Sequence, residues 1–264
     1  MEHTASAHTV LTLENLSIGY TSKKGNAIIA SDIQVTLPQG QLVGLIGING
    51  AGKSTLLRTL SGLQNPLSGN CILKQTPIHS IAPEYLAKQL SIVLTGQAIS
   101  KNLNVLELVS LGRQPYTNWL GTLTETDIHI ITEILEATDT AHLKEKKCYE
   151  LSDGQLQRVL IARALAQDTS VMILDEPMTH LDLHHKAAIL KLLTSIAHQQ
   201  QKLVLFSTHD IELAIAHCDQ LIVLQEGKAI INTPKQLIQD GVFDSLFPSD
   251  NVKFDSNSGR FLIS

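Results

Sequence analysis

Apolar positions fall in short blocks separated by glycine, proline or charge, and the spacing inside each block predicts its element. Residues 10–16, 28–33 and 35–37 read as short strands, with Lys23-Lys24-Gly25-Asn26 as a turn and Pro38-Gln39-Gly40 as a break. The continuous run 41–46 reads as a strand buried on both faces, and residues 55–60 that follow have helical periodicity stopped by Gly62. Residues 64–69 read as a loop, 70–73 as a strand, 83–88 as a short helix begun by Pro83, and 90–94 as another buried strand. The pattern then turns helical over 105–112, 124–138 and 155–167, the second opened by a Thr-Glu-Thr-Asp cap. Apolar strands return at 171–177 and 203–207, with Thr208-His209-Asp210 opening a helix. The expected architecture is α/β: an antiparallel flap first, a core of buried strands, and a mostly helical insert from Thr95 to about Asp168.

Composition agrees with one large core. Of 264 residues, 43% are hydrophobic and only 17% charged, which suits an aliphatic sheet covered on both faces. A single domain is expected, with residues 1–94 and 169–264 forming the core and flap and 95–168 the helical part. A net charge of −5 and 4% aromatics supply neither the positive field nor the stacking platforms that nucleic acid requires, so no nucleic-acid partner is expected. Cys71, Cys148 and Cys218 are few, odd in number and widely spaced, which reads as reduced thiols. His184 and His185 are adjacent and would face different directions on a helix, so the eleven histidines read as solvated surface and not as metal ligands. The first residues lack a basic and apolar leader, and no run reaches 18 apolar residues; a soluble chain is expected.

Chemistry concentrates at Gly47-Ile48-Asn49-Gly50-Ala51-Gly52-Lys53-Ser54-Thr55, a phosphate-loop pattern placed between a strand and a helix. Backbone N–H groups can ring a triphosphate only where side chains do not intrude, hence Gly47, Gly50 and Gly52. The helix start adds partial positive charge, Lys53 a cation for the terminal phosphates, and Ser54 a hydroxyl for Mg²⁺. A triphosphate with Mg²⁺ is the expected ligand, with Asn49, Ala51 and Thr55 completing the loop. The strand ending in Asp175-Glu176 brings two carboxylates to the edge where open α/β sheets bind ligands. Since adjacent strand residues point opposite ways, Asp175 is assigned to Mg²⁺ and Glu176 to orienting a water. His209 follows the next strand and reaches the same edge. Tyr20 is open to two readings, a half-buried sheet tyrosine or a face for adenine.

Leu151-Ser152-Asp153-Gly154-Gln155-Leu156-Gln157-Arg158 matches the LSxGQxQR signature, and from there the chain resembles the ATP-binding cassette ATPases over residues 10–245. The order is complete, with Thr179-His180-Leu181-Asp182 in the place of the D-loop and His209 as the switch histidine. Leu111-Gly112-Arg113-Gln114-Pro115-Tyr116, the segment 161–167 and His180-Leu181-Asp182-Leu183 are similar to the ATPases of iron-siderophore, haem and vitamin B12 importers. The resemblance implies the P-loop cassette fold and ATP hydrolysis, with Lys53, Glu176 and His209 catalytic. It also implies a homodimer in which Ser152, Gly154 and Gln155 cap the nucleotide of the other subunit. A membrane permease dimer would sit above it at the cytoplasmic face, fed by an external substrate-binding protein. One departure concerns the glutamine loop, where Thr95 holds the family's glutamine position and Gln97 stands two residues later. Two other functions compete: a soluble regulatory cassette uncoupled from transport, and a GTPase or small-molecule kinase, which would leave the signature unexplained and lacks an Asn-Lys-x-Asp motif.

Overall fold

A computed structural model of the chain describes residues 9–23, 25–96, 100, 102–246, 252–256 and 258–263. The flap comes first, as β1 (Thr9–Ser22) and β2 (Gly25–Pro38). Both strands are longer than the apolar pattern predicts, and the two expected strands at 28–33 and 35–37 are one. The reason is a bulge: Leu16 pairs with Ile33 and Ile18 with Ala30, so Ser31 and Asp32 together face a single residue of β1. Asp32 takes φ 54°, and the inward parity switches from Ala30 to Ile33, Val35 and Leu37 without breaking the strand. The expected turn at 23–26 shrinks accordingly, because Gly25 and Asn26 already pair with Ser22 and Thr21.

The core strand β3 (Leu42–Ile46) leads through the glycine loop into α1 (Lys53–Leu60). Then follow β4 (Ser68–Leu73), β5 (Thr76–Pro77), α2 (Pro83–Leu86) and β6 (Leu90–Val93). Among the described residues, the α-helices α3 (Val105–Ser110), α4 (Glu125–Ala137) and α5 (Asp153–Ala166) lie between β6 and β7 (Val171–Leu174). The caps that stop these helices from fraying are local. Asn104, Thr124 and Ser152 each accept from the backbone three residues on while that residue's side chain reaches back, a box worth about 1 kcal/mol per cap. The chain continues as α6 (Leu183–Gln199), β8 (Leu203–Ser207), α7 (Ile211–His217), β9 (Gln220–Gln225), β10 (Lys228–Asn232) and α8 (Pro234–Gln239). A hairpin of β11 (Val252–Asp255) and β12 (Arg260–Ile263) ends it, with Phe254 stacked between Phe243 and Phe261 at ring distances of 4.9 and 5.0 Å.

One sheet has the order β10-β9-β3-β8-β7-β6, parallel from β9 to β6 with β10 antiparallel at the edge; the flap sheet has the order β2-β1-β4-β5. Strand alternation divides the apolar interior in two. Val43, Leu45, Val171, Ile173, Leu203 and Leu205 point to α1 and the flap, while Leu42, Ile46, Met172, Leu174, Val204 and Phe206 point to the side covered by α5 and α6. Each such side chain, fully buried, contributes roughly 1.5–3 kcal/mol by removal from water. This two-sided core fixes the C-terminal ends of β3, β7 and β8 side by side, and the candidate site sits on those ends.

Candidate functional site

The loop after β3 folds as its glycines require. Gly50 and Gly52 have φ of 82° and 102°, and a Cβ on Gly52 would lie 2.3 Å from Ile29 of the flap. At Gly47 a Cβ would meet the Leu224 carbonyl at 2.6 Å. Gly52 is the N-cap of α1 and contributes no side-chain bond there, which leaves the first N–H groups of the helix available to a ligand. Lys53 is buried and donates from Nζ to the carbonyls of Gly47 at 2.9 Å and Ile48 at 3.3 Å. Burial lowers its pKa, and the charges of Glu176 and Asp175 oppose that shift.

Asp175 and Glu176 lie just past β7, and the strand-alternation argument for their separate roles fails because Glu176 is not extended: its φ is 49°. A left-handed turn, which costs about 1–3 kcal/mol at a non-glycine residue, divides the two carboxylates instead. Asp175 Oδ1 accepts from Ser207 Oγ at 2.7 Å and Ser54 Oγ at 3.2 Å, and its main-chain carbonyl accepts from Thr95 Oγ1 at 2.7 Å. Glu176 N donates to Ser207 Oγ at 2.9 Å. Outward, the Glu176 carboxylate is held at both oxygens, by His209 Nε2 at 2.7 Å and by Thr179 Oγ1 at 3.0 Å. Tyr20, half exposed, shares a 3.0 Å hydrogen bond between its hydroxyl and that of Thr55.

A cleft of about 330 Å³ opens here, lined by Tyr20, Ile29, Asn49, Gly50, Gly52, Lys53, Ser54, Thr55, Glu176 and His209, with Asp175 and Ser207 behind its lining. Its floor carries backbone donors and a cation, its rim a carboxylate with a histidine, and Ile29 with Tyr20 forms an apolar wall. A polyphosphate with a flat apolar end suits that distribution. Asp175 and Ser54 bring hard oxygen donors together at the loop, the donor set that Mg²⁺ prefers. Ser207 and Ile29 escape the sequence reading, and Thr179, read there only as part of the D-loop segment, turns out to hold Glu176. Ser207 alone carries a signal, a hydroxyl closing an otherwise apolar strand one residue before Thr208-His209.

Ser152, Gly154 and Gln155 are not among the residues that line this cleft. Ser152 is exposed and caps α5, accepting from Gln155 N at 3.3 Å while its own N donates to Gln155 Oε1 at 3.1 Å. Asp182 likewise caps α6. His185 is only partly solvated, contrary to the expected surface role: its Nδ1 lies 2.8 Å from Asp182 Oδ1 and its ring packs on Gly154. Gln97 lies outside the described residues, and Thr95 is the part of that loop the structure shows. All three cysteines are buried and free, and no group of three or more potential metal ligands occurs among the described residues. No helix among them is long and apolar enough to cross a membrane.

Residues 30–179 match the family described as ABC transporter. The achromobactin transport ATP-binding protein CbrD of Dickeya dadantii is 37% identical over 243 residues, covering 92% of this chain and 89% of that protein. The iron(3+)-hydroxamate import ATP-binding protein FhuC of Bacillus subtilis is 39% identical over 220 residues, covering 83% of this chain and 80% of that one. Among solved structures, CbiO1 of Clostridium perfringens, part of the ABC transporter complex CbiONQ, superposes with a TM-score of 0.75 at 29% identity, covering 90% of this chain and 96% of that chain.

Proposed function

The chain belongs to the ABC transporter family as an ATPase of the iron-siderophore import type, and we propose that it works as a homodimer beneath a permease dimer, powering uptake of an iron chelate. The observation that carries the catalytic assignment is the Glu176 carboxylate, gripped by His209 and Thr179 on the rim of the cleft. The loop N–H groups and Lys53 hold the β- and γ-phosphates, and Tyr20 with Ile29 takes the adenine. Ser54 and Asp175 would hold Mg²⁺, whose charge, when present, offsets that of the phosphates. Glu176 orients the attacking water and accepts its proton as the bond to ADP breaks, and His209 holds that carboxylate in place. The products are ADP and inorganic phosphate.

The signature supports the dimer. Ser152 and the start of α5 form an exposed anion-binding end that serves no residue of the chain's own cleft, and a second copy turned by a two-fold axis would present it to the neighbour's γ-phosphate. The permease carries the membrane-spanning part, which places this subunit at the cytoplasmic face, and a substrate-binding protein delivers the chelate from outside. Names of the relatives support iron chelates as the transported class. The test is Glu176→Gln. It should bind ATP like wild type, lose about 10²-fold or more of its turnover as a missing general base does, and run as an ATP-held dimer on gel filtration. A variant that stays monomeric in saturating ATP would remove the dimer from this reading.

A further inference from the structure

The first turn of α6 touches two parts of the molecule that serve different nucleotides. On one side is His185, whose imidazole is pinned by Asp182: the Asp182 carboxylate accepts from His185 N at 2.9 Å and lies 2.8 Å from Nδ1. So fixed, the ring packs against the start of α5, where a Cβ on Gly154 would come within 2.6 Å of His185 Cδ2. Gly154 is thus a glycine because the imidazole occupies the place of its side chain. On the other side is Lys186, whose Nζ lies 2.9 Å from both carboxylate oxygens of Asp210. Asp210 follows His209 in a tight turn: its N donates to Thr208 Oγ1 at 3.0 Å, and Ile211 N donates to the His209 carbonyl at 3.1 Å. Anchoring the Asp210 carboxylate therefore restrains the backbone that carries His209.

We infer that this turn is a rigid bracket, in which Lys186 positions His209 through Asp210 and His185 positions the Ser152–Gly154 end of α5. The inference rests on the homodimer reading above for its second arm only. His209 acts on the chain's own nucleotide, while the α5 end faces the neighbour's. Two consecutive residues of one helical turn cannot move apart, so a displacement at the switch is passed to the signature without an intervening loop. Both residues are positioning residues and neither lines the cleft.

Lys186→Met keeps the stem and removes the cation. It should lower kcat about 10-fold, within what one lost positioning contact costs, while the Kd of a fluorescent ATP analogue and the thermal midpoint stay close to wild type. Lys186→Arg should recover most of the loss. His185→Ala, placed in the Glu176→Gln background, should weaken the ATP-held dimer about 10-fold, again the size of a lost positioning contact, with the analogue's Kd unchanged. Wild-type kcat in Lys186→Met, or a parallel fall of kcat, analogue affinity and thermal midpoint that Lys186→Arg does not recover, overturns the bracket. If Glu176→Gln alone forms no dimer, the homodimer reading fails, and the Lys186 arm, measured in kcat, still decides whether the switch is held from α6.

Discussion

Ser207→Ala is the most informative single substitution behind the cleft, because one buried hydroxyl there does two opposite jobs. It donates to Asp175 Oδ1 at 2.7 Å and accepts from Glu176 N at 2.9 Å, and the residue is fully buried. Removing it leaves a main-chain N–H unpaired, at about 1–3 kcal/mol, and takes from a carboxylate a bond worth about 1.5–3 kcal/mol. The two terms do not add fully, since Thr95 still holds the Asp175 carbonyl and Ser54 still reaches its carboxylate. A net loss of about 2–3 kcal/mol follows, which at about 2–4 °C per kcal/mol for a chain of this size is a fall of roughly 4–12 °C in Tm. Glu176, held at φ 49°, also loses the bond that offsets its strain, so its carboxylate drifts from the position His209 and Thr179 define and turnover drops about 10-fold or more. Calorimetry of the nucleotide-free protein and steady-state ATP hydrolysis read the two effects separately. A variant whose Tm stays within about 1 °C of wild type, well inside the shift expected, and whose kcat is unchanged would refute the claim that Ser207 ties the Asp175 carboxylate to the Glu176 main chain.

Three further outcomes are expected. Chains carrying Lys53→Ala and chains carrying Ser152→Arg should each be inactive alone, yet recover partial ATPase activity when mixed, because one of the two composite sites is then intact; a mixture as dead as its parts would exclude a signature acting across the interface. The Asp127 carboxyl is held down at about 2, from 3.8, by hydrogen bonds from Thr124 first and by the buried Arg113 partner at 2.8 Å. A depressed folded-state pKa means stability present above the unfolded value and lost as pH falls from 3.8 towards 2, so Asp127→Asn should be less stable at neutral pH and lose less in that window, measured by urea midpoints; parallel loss in both proteins would contradict it. Thr95 Oγ1 is committed to the Asp175 carbonyl, so Gln97→Ala should reduce permease-stimulated hydrolysis by up to about 10²-fold and by more than Thr95→Ala does, and the idea is falsified if the ranking in proteoliposomes is reversed.

What the sequence shows plainly is what depends on neighbours in the chain. The glycine loop, the Thr124 cap of α4 and the Ser152 cap of α5 are legible because each bond closes within three or four residues. Four features are not, and each involves a contact between distant segments or an unusual dihedral. The β2 bulge hides a continuous strand behind a change of parity at Ser31 and Asp32. The turn at Glu176 replaces the alternation that an apolar run with two acids suggests. The packing of His185 on Gly154 needs α5 and α6 to be placed first, so an adjacent pair of histidines reads as surface. The hairpin β11–β12 belongs to the same class, since its anchor is Phe243, nine or more residues away, and a bond from Phe261 N to Glu212 Oε1 at 3.0 Å.

The division of the interior by strand parity bears on how this protein can change over generations. Substitutions at Val43, Ile173 or Leu205 are felt by α1 and the flap, whereas those at Leu42, Met172 or Phe206 are felt by α5, α6 and their neighbours. Volume lost on one side cannot be refilled from the other, because a backbone layer separates them and close-packed side chains relax only locally. Compensating changes should therefore pair within a parity class, and the packing against α1 and the flap can drift while that against α5 and α6 stays as it is.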